Sequence, residues 1–477
     1  MSGGYIAVTG CAGVGKSTLV QDVLSSSDYP FFIPYYAFLP DGEGNPRDRG
    51  EALTFFQDVI ERLDKFFTHR YSIGITDVAQ GREALREHMA KAHEQYVIQG
   101  RKTILLVDGL DHVSREVGLQ SSVLHELPRP DEVPEGFLII LSAQPQALVP
   151  GTIRADVGIA VAEKSGRRVE VTGLSRPEVH AIIAKLPKPT STEDRKLLDE
   201  ACRGNPLILT YLLKSFQRSP ETSVNDVLAE PGSYTGDLDN YYAIALSVPL
   251  KDFRTRELLA LFCRAAPTIP VSWLQSWPEY GPFEDLYWHT LAPFLREEDG
   301  NLHFIHNSLI AFLKSETLFK VPGADHAAYE RAYHSTLADR SSGLPCANPL
   351  GRAHVLHLLR AGRKRELLTV LTSSLLREAL GAFLPYALVR PLLLAGLKVA
   401  WTLGEYGHVM RFILLDYELD QRTARMEAGE LADRLLRLDL PNVALSQVRS
   451  GGRLLVDDKV ALGFAQSLRK NSSMEAY

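Results

Sequence analysis

The fold of this chain is decided near its start, by a stretch that reads Gly10-Cys11-Ala12-Gly13-Val14-Gly15-Lys16-Ser17 and continues into Thr18. Its spacing matches G-x-x-x-x-G-K-[ST], the P-loop, which binds nucleotide phosphates. The glycines let consecutive backbone N–H groups turn toward phosphate oxygens, and the following helix directs its positive end at the same anion. Lys16 adds a full positive charge, and the Ser17 hydroxyl is a ligand for Mg²⁺. We therefore expect residues 10–18 to bind ATP or ADP with Mg²⁺, and Lys16 to be catalytic.

Apolar runs of the kind that form β-strands precede this loop and recur after it, at residues 5–9, 103–107, 137–141 and 169–171. Stretches with the apolar spacing of helices lie between these runs. Strands that alternate with helices predict a parallel sheet that is covered by helices on both faces. The sequence thus predicts an α/β P-loop NTPase domain over residues 1–175.

Polar residues follow two of these apolar runs. Asp108 ends the second run, where a P-loop protein needs an acid to hold the Mg²⁺ shell, so Ser17 and Asp108 are the predicted metal ligands. Ser142 and Gln144 follow the third run, which would place them near the γ-phosphate between the other two strands. Each of them is a candidate nucleotide sensor, and each is equally well explained as part of a turn.

Two further polar residues, Asp111 and His112, follow Asp108 closely. Asp111 is the candidate to position the attacking water and is therefore assigned as catalytic, with a helix-capping role as the alternative. His112 is a candidate to orient water or phosphate, with a capping or packing role as the alternative.

Composition narrows the class of protein. The 477 residues carry a net charge of -6, with 45% hydrophobic and 23% charged residues, which is close to the average of globular proteins. A chain that coats nucleic acid would be basic, so this balance argues against a nucleic-acid partner. The 4 cysteines lack the C-x-x-C spacing of a zinc site and fit a reducing cytoplasm. The most apolar region, 383–401, is interrupted by prolines and charges, so no membrane segment is predicted.

The pattern becomes helical after residue 175 and predicts further units: a helical lid and linker at 176–238, a winged-helix domain at 239–320 and a TPR-like helical-repeat region at 321–477. The linker prediction rests on the Ser, Pro, Gly and Asp content of residues 219–239. The winged helix is predicted from three helices and a hairpin around Asp299-Gly300. For the last region an ordinary helical bundle is the alternative. A final helix at 460–468 without a partner would fit a chain cut from a longer one.

These motifs together resemble those of the STAND NTPases, the signal-transducing P-loop ATPases that include the NACHT and NB-ARC groups. The string Leu105-Leu106-Val107-Asp108-Gly109-Leu110-Asp111 is similar to the NACHT form of the second nucleotide motif. With Leu127-Pro128-Arg129-Pro130 and Pro134-Glu135-Gly136, the region looks most like prokaryotic antiviral (Avs-type) STAND ATPases. The resemblance covers about residues 4–318.

The resemblance implies two more nucleotide contacts. Gly204-Asn205-Pro206-Leu207 is similar to the G-x-P motif of the family's lid, which places Pro206 on the adenine; a capped helix start is the alternative. His306 stands where the family's winged-helix histidine reaches the β-phosphate of ADP, with a solvent-facing histidine as the alternative. Gln144 replaces an arginine of many relatives and His112 replaces an acid, so hydrolysis is expected to be slow or to depend on a neighbouring subunit.

What the resemblance implies is a ligand-gated ATPase switch. ADP would hold the P-loop domain, lid and winged helix closed. A foreign, phage-derived protein would bind the C-terminal helices, favour ATP and cause assembly into a homo-oligomer in antiviral defence. STAND proteins usually carry an effector domain before the P-loop, and only nine residues precede Gly10 here. The effector is therefore expected to have been removed, to be a separate chain or to lie beyond Tyr477.

Other functions stay open. A STAND-type transcription regulator would need a basic DNA-reading helix, and residues 271–277 contain no basic residue. A AAA-type ATPase with a DNA-binding winged helix would need an arginine finger, for which the candidates are Arg47, Arg49, Arg154, Arg167 and Arg168. The intact Lys16, Ser17 and Asp108 argue against a scaffold with a degenerate site, and the domains after the P-loop domain argue against a small-molecule kinase.

Overall fold

The structure is a computed structural model. It describes residues 2–26, 32–37, 49–67, 75, 77–113, 121–162, 167–218, 221–229, 234–265, 268–277, 279, 287–298, 300–319, 325–346, 348–372 and 386–423, with shorter pieces between 375 and 468.

A parallel sheet forms the centre of the N-terminal domain. Its strands are β1 (Gly4–Thr9), β2 (Phe32–Tyr36), β3 (Thr103–Asp108), β4 (Phe137–Ala143) and β5 (Arg168–Glu170). They lie in the order β2-β3-β4-β1-β5, and each pairing is parallel. The predicted parallel α/β sheet is confirmed. The strand β2 was not predicted; it lies at the edge of the sheet, where Pro34 is tolerated because one side of an edge strand needs no hydrogen-bond donor.

Helices cover both faces of this sheet, as predicted. They are α1 (Lys16–Ser26), α2 (Ala52–Phe67), α3 (Val78–Gln99) and α4 (Ala155–Ala162), together with single helical turns at Leu110–Val113 and Val123–Glu126. Alternate residues of β3 face opposite layers: Leu105 packs in the core that α2 and α3 cover, whereas Leu106 packs with Val20 and Leu24 of α1. This alternation follows from the two-residue period of a strand.

The next unit is helical and consists of α5 (Arg176–Ile183), α6 (Thr192–Cys202), α7 (Pro206–Gln217) and α8 (Val224–Ala229). The prediction of a linker over 219–239 was wrong for α8. Ser223 and Asp226 form a reciprocal cap, in which each backbone N–H donates to the other side chain at 2.8 and 3.1 Å. Val224 and Val227 are buried, so this short helix belongs to the core.

The third unit combines helices with a small sheet. Its helices are α9 (Leu238–Ala245), α10 (Phe253–Ala265), α11 (Val271–Gln275) and α12 (Asn307–Phe319). Its strands β6 (Ile269–Pro270), β7 (Leu295–Glu298) and β8 (Asn301–Phe304) form an antiparallel sheet in the order β6-β8-β7, so the predicted hairpin is confirmed. The last of the three helices predicted for this unit corresponds to residues 284–291. Part of this range lies outside the described residues, and Tyr287–Leu291 is a π-helix.

The C-terminal region is a series of paired helices. They are α13 (His326–Ser341), α14 (Pro349–Arg360), α15 (Lys364–Val370), α16 (Tyr386–Leu403), α17 (Tyr406–Thr423) and α18 (Pro441–Val448), followed by the two-residue strands Arg449–Ser450 and Arg453–Leu454. Much of the final helix predicted at 460–468 lies outside the described residues. None of the described helices is long and apolar enough to cross a membrane.

One hydrophobic core connects the second unit, the third unit and the first C-terminal helices. It begins at Val179 of α5, passes through Tyr211 and Phe262, and reaches Leu337 and Leu350 of α13 and α14. The sheet of the N-terminal domain has its own separate cores. The described residues therefore include a P-loop domain and a mainly helical body whose core is continuous from α5 to α14; a separate core joins the helices from α14 to α17.

Candidate functional site

The P-loop connects the end of β1 to the start of α1. Gly13 and Gly15 have φ angles of 73° and 97°, which favour glycine and let the backbone curl. The ammonium of Lys16 donates to the carbonyl oxygens of Gly10 and Cys11, each at 3.0 Å. The side chain of Lys16 therefore folds back over the P-loop, where the motif predicts that it binds phosphate.

Two carboxylates lie within electrostatic reach of Lys16. Burial lowers the pKa of the Lys16 ammonium, and the nearby charges of Asp111 and Asp108 act in the opposite direction. The structure thus brings the predicted catalytic residues Lys16, Asp108 and Asp111 to one place.

Asp108 and Ser142 end neighbouring strands. The register pairs Asp108 with Ser142, and Ser142 with Val8 of β1, so Ser142 lies between the P-loop strand and the acidic strand. Asp108 is 7% exposed and accepts a hydrogen bond from the N–H of Gly109 at 2.9 Å. Among the described residues, the fully buried hydroxyl of Ser142 has no hydrogen-bond partner. A buried hydroxyl of this kind needs a polar partner, and a phosphate oxygen or its water shell would supply one.

The donors present fit a magnesium nucleotide. Ser17 is exposed at the start of α1, and Asp108 stands at the end of β3. Mg²⁺ is commonly bound by one or two side chains together with phosphates and water. Ser17 and Asp108 are donors of this kind, and nucleotide phosphates and water would complete the shell.

Asp111 is oriented by two of the other predicted residues. The amide of Gln144 donates to Asp111 Oδ2 at 2.9 Å, and Nε2 of His112 lies 3.8 Å from the same oxygen. Burial raises the pKa of the Asp111 carboxyl, but His112, Gln144 and Lys16 together hold that pKa below its ordinary value. Asp111 is therefore an ionised carboxylate whose position is fixed by its neighbours. This arrangement is compatible with a role as a general base or as a water-positioning group.

Asn205 is a site residue that the sequence reasoning missed. Its side-chain oxygen accepts from the N–H groups of Leu207 and Ile208 at 3.0 and 3.2 Å and so caps α7. Its amide donates to the carbonyl oxygen of Ala12 in the P-loop at 3.0 Å. The capping role is readable from an asparagine before Pro206. The contact with the P-loop is not, because Ala12 lies 193 residues away in the chain.

His306 of the third unit also reaches the site. Burial and the positive charges of His112 and Lys16 lower the pKa of His306 to about 4, while Asp111 acts to raise it. Its Nδ1 lies 2.7 Å from the hydroxyl of Ser308. The structure thus brings together residues from the P-loop domain, the second unit and the third unit. Whether Pro206 and His306 contact a nucleotide stays a prediction.

Comparison with known proteins agrees with this geometry for the first domain. Residues 1–148 match the sequence profile of an AAA domain. The chain contains an AAA-type P-loop NTPase domain. No curated protein matches the chain significantly.

Solved structures similar to the chain include a STAND protein with a tetratricopeptide repeat sensor from Pyrococcus horikoshii. It is 13% identical, with a TM-score of 0.38 over 100% of this chain and 66% of that chain. Another is the ORC2 protein of Aeropyrum pernix in ADPNP and ADP complexes, which is 11% identical, with a TM-score of 0.31 over 66% of this chain and 88% of that chain. The chain thus spans slightly less than two thirds of the Pyrococcus protein. At such low identities and TM-scores, the function has to be argued from the site itself.

Proposed function

We propose that this chain is a nucleotide-gated switch of the STAND type, which binds ATP or ADP with Mg²⁺ and hydrolyses ATP slowly. One observation carries the proposal: the second and third units both send a side chain to the P-loop. Asn205 donates to Ala12, and His306 lies within the electrostatic reach of Lys16. A ligand bound at this loop would be sensed by every unit around it.

The closed arrangement is proposed as the ADP form. In it, the second unit is the lid, with Pro206 at the first position of α7 directed to the adenine. The third unit, with helices beside its antiparallel sheet, is the winged helix, and His306 contacts the β-phosphate. One ligand that contacts three units favours whichever arrangement makes all the contacts at once.

The C-terminal helices are proposed to restrain the closed form. Arg390 of α16 lies 2.8 Å from Glu61 of α2, which joins the C-terminal region to the P-loop domain. A foreign protein that binds these helices in the cytoplasm would compete with this contact, and homo-oligomer assembly and an antiviral response would follow. Trp401, Tyr406 and Met410 are 69%, 67% and 56% exposed, and aromatic and methionine side chains are common in protein interfaces.

The free energy that is needed to switch the protein favours a protein as the sensed ligand. A shift from 1:99 to 99:1 requires about 5.5 kcal/mol of differential binding. The γ-phosphate, the contacts between subunits and a large protein interface can share that amount. An effector domain, either on a separate chain or in a longer form of this protein, would report the assembled state.

Hydrolysis is proposed to be secondary to switching. Lys16 would stabilise charge on the transferring phosphoryl group, and Asp111 would hold the attacking water. Mg²⁺, held by Ser17 and Asp108, would neutralise phosphate charge when bound. Gln144 and His112 both contact Oδ2 of Asp111, so this oxygen is less available to accept a proton from water. This fits slow turnover.

The test is the mass of the protein in solution with ADP, with ATP or without nucleotide, for wild type and Lys16→Ala. We expect wild type to bind both nucleotides and to change its oligomeric state with ATP when a candidate phage protein is added. Lys16→Ala should lose binding and assembly. Normal assembly of Lys16→Ala would remove the switch proposal, and a candidate library without any activating protein would remove the antiviral part.

A second candidate is an AAA-type ATPase that acts on DNA; the AAA domain match supports the ATPase part of this candidate. Against it, α11 has no basic residue. Two of the candidate arginine fingers are already paired, Arg49 with Asp58 at 2.9 Å and Arg154 with Asp156 at 2.8 Å. A gel-shift assay with duplex DNA and ATP decides between the two candidates, because the switch proposal expects no nucleotide-dependent DNA binding.

A further inference from the structure

A chain of buried hydroxyl groups leads from the second unit to His306. The hydroxyl of Tyr211 lies 3.1 Å from that of Tyr242, which lies 2.8 Å from Oγ of Ser308. Oγ of Ser308 in turn lies 2.7 Å from Nδ1 of His306. Tyr211, Tyr242 and Ser308 are 1%, 0% and 7% exposed, so the connection is shielded from water.

The backbone of Ser308 fixes the tautomer of His306. Its N–H donates to Nδ1 at 3.1 Å, and an N–H group can only donate. Nδ1 therefore carries no proton, and the proton of the neutral ring is on Nε2. Because burial and the charges of His112 and Lys16 lower the pKa of His306 to about 4, the ring stays neutral near pH 7.

This tautomer sets the direction of each hydrogen bond in the series that runs from Tyr211 to His306. With Nδ1 as an acceptor, Ser308 Oγ donates to it, Tyr242 donates to Ser308, and Tyr211 donates to Tyr242. Hydrogen bonds in series polarise one another, so electron density is drawn from the ring and Nε2–H becomes a better donor. A neutral N–H donor close to Lys16 suits an anionic oxygen.

We propose that Ser308, supported by Tyr242 and Tyr211, positions His306 as an Nε2–H donor to the terminal phosphate of a nucleoside diphosphate. The inference rests on the proposed nucleotide switch and adds the residues that set the histidine. Tyr211 lies on α7, the helix that Asn205 caps over the P-loop. The series of hydrogen bonds from Tyr211 through Tyr242 and Ser308 to His306, which we call the relay, therefore connects two contacts: that of the second unit with the loop and that of the third unit with the phosphate.

The first test compares ADP and ATP affinities of full-length variants by titration calorimetry. Ser308→Ala and Tyr242→Phe should each weaken ADP about 3- to 10-fold, the effect of one lost hydrogen bond, and weaken ATP less. Ser308→Thr keeps the hydroxyl and should stay within about twofold of wild type by the same reasoning. Tyr241→Phe is the matched control, because Tyr241 is the neighbouring buried residue of α9 and contacts Tyr211 through its ring, with centroids 6.4 Å apart.

The second test measures the tautomer of His306 in the wild-type protein. Nitrogen NMR of histidine-labelled wild type, with His306→Gln for assignment, should show the Nε2–H tautomer. The Nδ1–H tautomer would overturn the proposal, as would equal losses of ADP affinity in Tyr241→Phe and Tyr242→Phe. Wild-type ADP affinity in both Ser308→Ala and Tyr242→Phe would overturn the relay alone, whereas a wild-type protein that binds no ADP would overturn the proposed switch itself.

Discussion

Replacing Asn205 by serine separates the cap of α7 from its contact with the P-loop. Serine caps a helix about as well as asparagine does. It is too short and lacks the amide that donates to Ala12 at 3.0 Å. Asn205→Ser should therefore leave the helix capped and remove the hydrogen bond between the second unit and the loop.

The size of the effect follows mainly from that bond, because the second contact of the amide with the loop, to Cys11 Sγ at 3.8 Å, involves a weak acceptor. Asn205 is 2% exposed, and a typical buried hydrogen bond contributes about 0.5–1.5 kcal/mol net. Since 1.4 kcal/mol is tenfold in an equilibrium constant, the closed form should become about 2- to 10-fold less populated relative to the open form. Bound ADP should then dissociate faster by a similar factor.

The chain supplies a matched control for this substitution. Asn348 precedes Pro349 and caps α14 by accepting from the N–H of Leu350 at 2.9 Å, which repeats the cap at Asn205 in a helix away from the P-loop. Asn348→Ser should leave the melting temperature close to that of wild type, because serine keeps the cap. Its dissociation rate for a fluorescent ADP analogue, measured by stopped flow, should equal that of wild type. Equal rates in wild type and Asn205→Ser would refute the reasoning.

The remaining predictions concern the metal, the C-terminal contact and pH. Asp108→Ala should retain nucleotide but lose Mg²⁺-dependent turnover by about 100-fold or more, and unchanged ATPase activity would mean that another strand carries the metal ligand. Glu61→Lys should favour assembly about 2- to 5-fold, since a part-exposed ion pair contributes up to about 1 kcal/mol. Adding Arg390→Glu should bring assembly part of the way back to wild type, since Arg390 also lies 3.6 Å from Asp416. No change on adding Arg390→Glu would count against the contact. Because the pKa of His306 falls from its ordinary 6.5 to about 4 in the closed form, that form keeps its full stability above pH 6.5 and loses it as the pH falls toward 4. Without nucleotide, the melting temperature should therefore fall over that range in wild type and less in His306→Gln.

The sequence was sufficient for features that depend on nearby residues. The P-loop, the strand before it, the helix after it and the hairpin before His306 each depend on local spacing, and the structure has all of them. The second unit's contact with the loop depends on residues 193 positions apart, and the Tyr242–Ser308 bond on residues 66 apart, so no local pattern reports either.

The wrong linker prediction has a similar physical cause. Residues 219–239 have the composition of a loop, but the Ser223–Asp226 cap and the burial of Val224 and Val227 outweigh that composition. The edge strand β2 was missed because Pro34 is atypical of strands. The cap is a local signal, whereas the burial of Val224 and Val227 and the pairing of β2 with β3 depend on parts of the chain that are distant in sequence.

The continuous core from α5 to α14 determines how the molecule can open. Asn205 and His306 are attached to the same packed body, which joins the P-loop domain through the short segment 171–175. Breaking one contact while keeping the other would require that body to split through its own interior. We therefore expect this body to rotate as one rigid unit about residues 171–175. At intermediate concentrations of an activator, the protein should be a mixture of fully closed and fully open molecules without a half-open conformation.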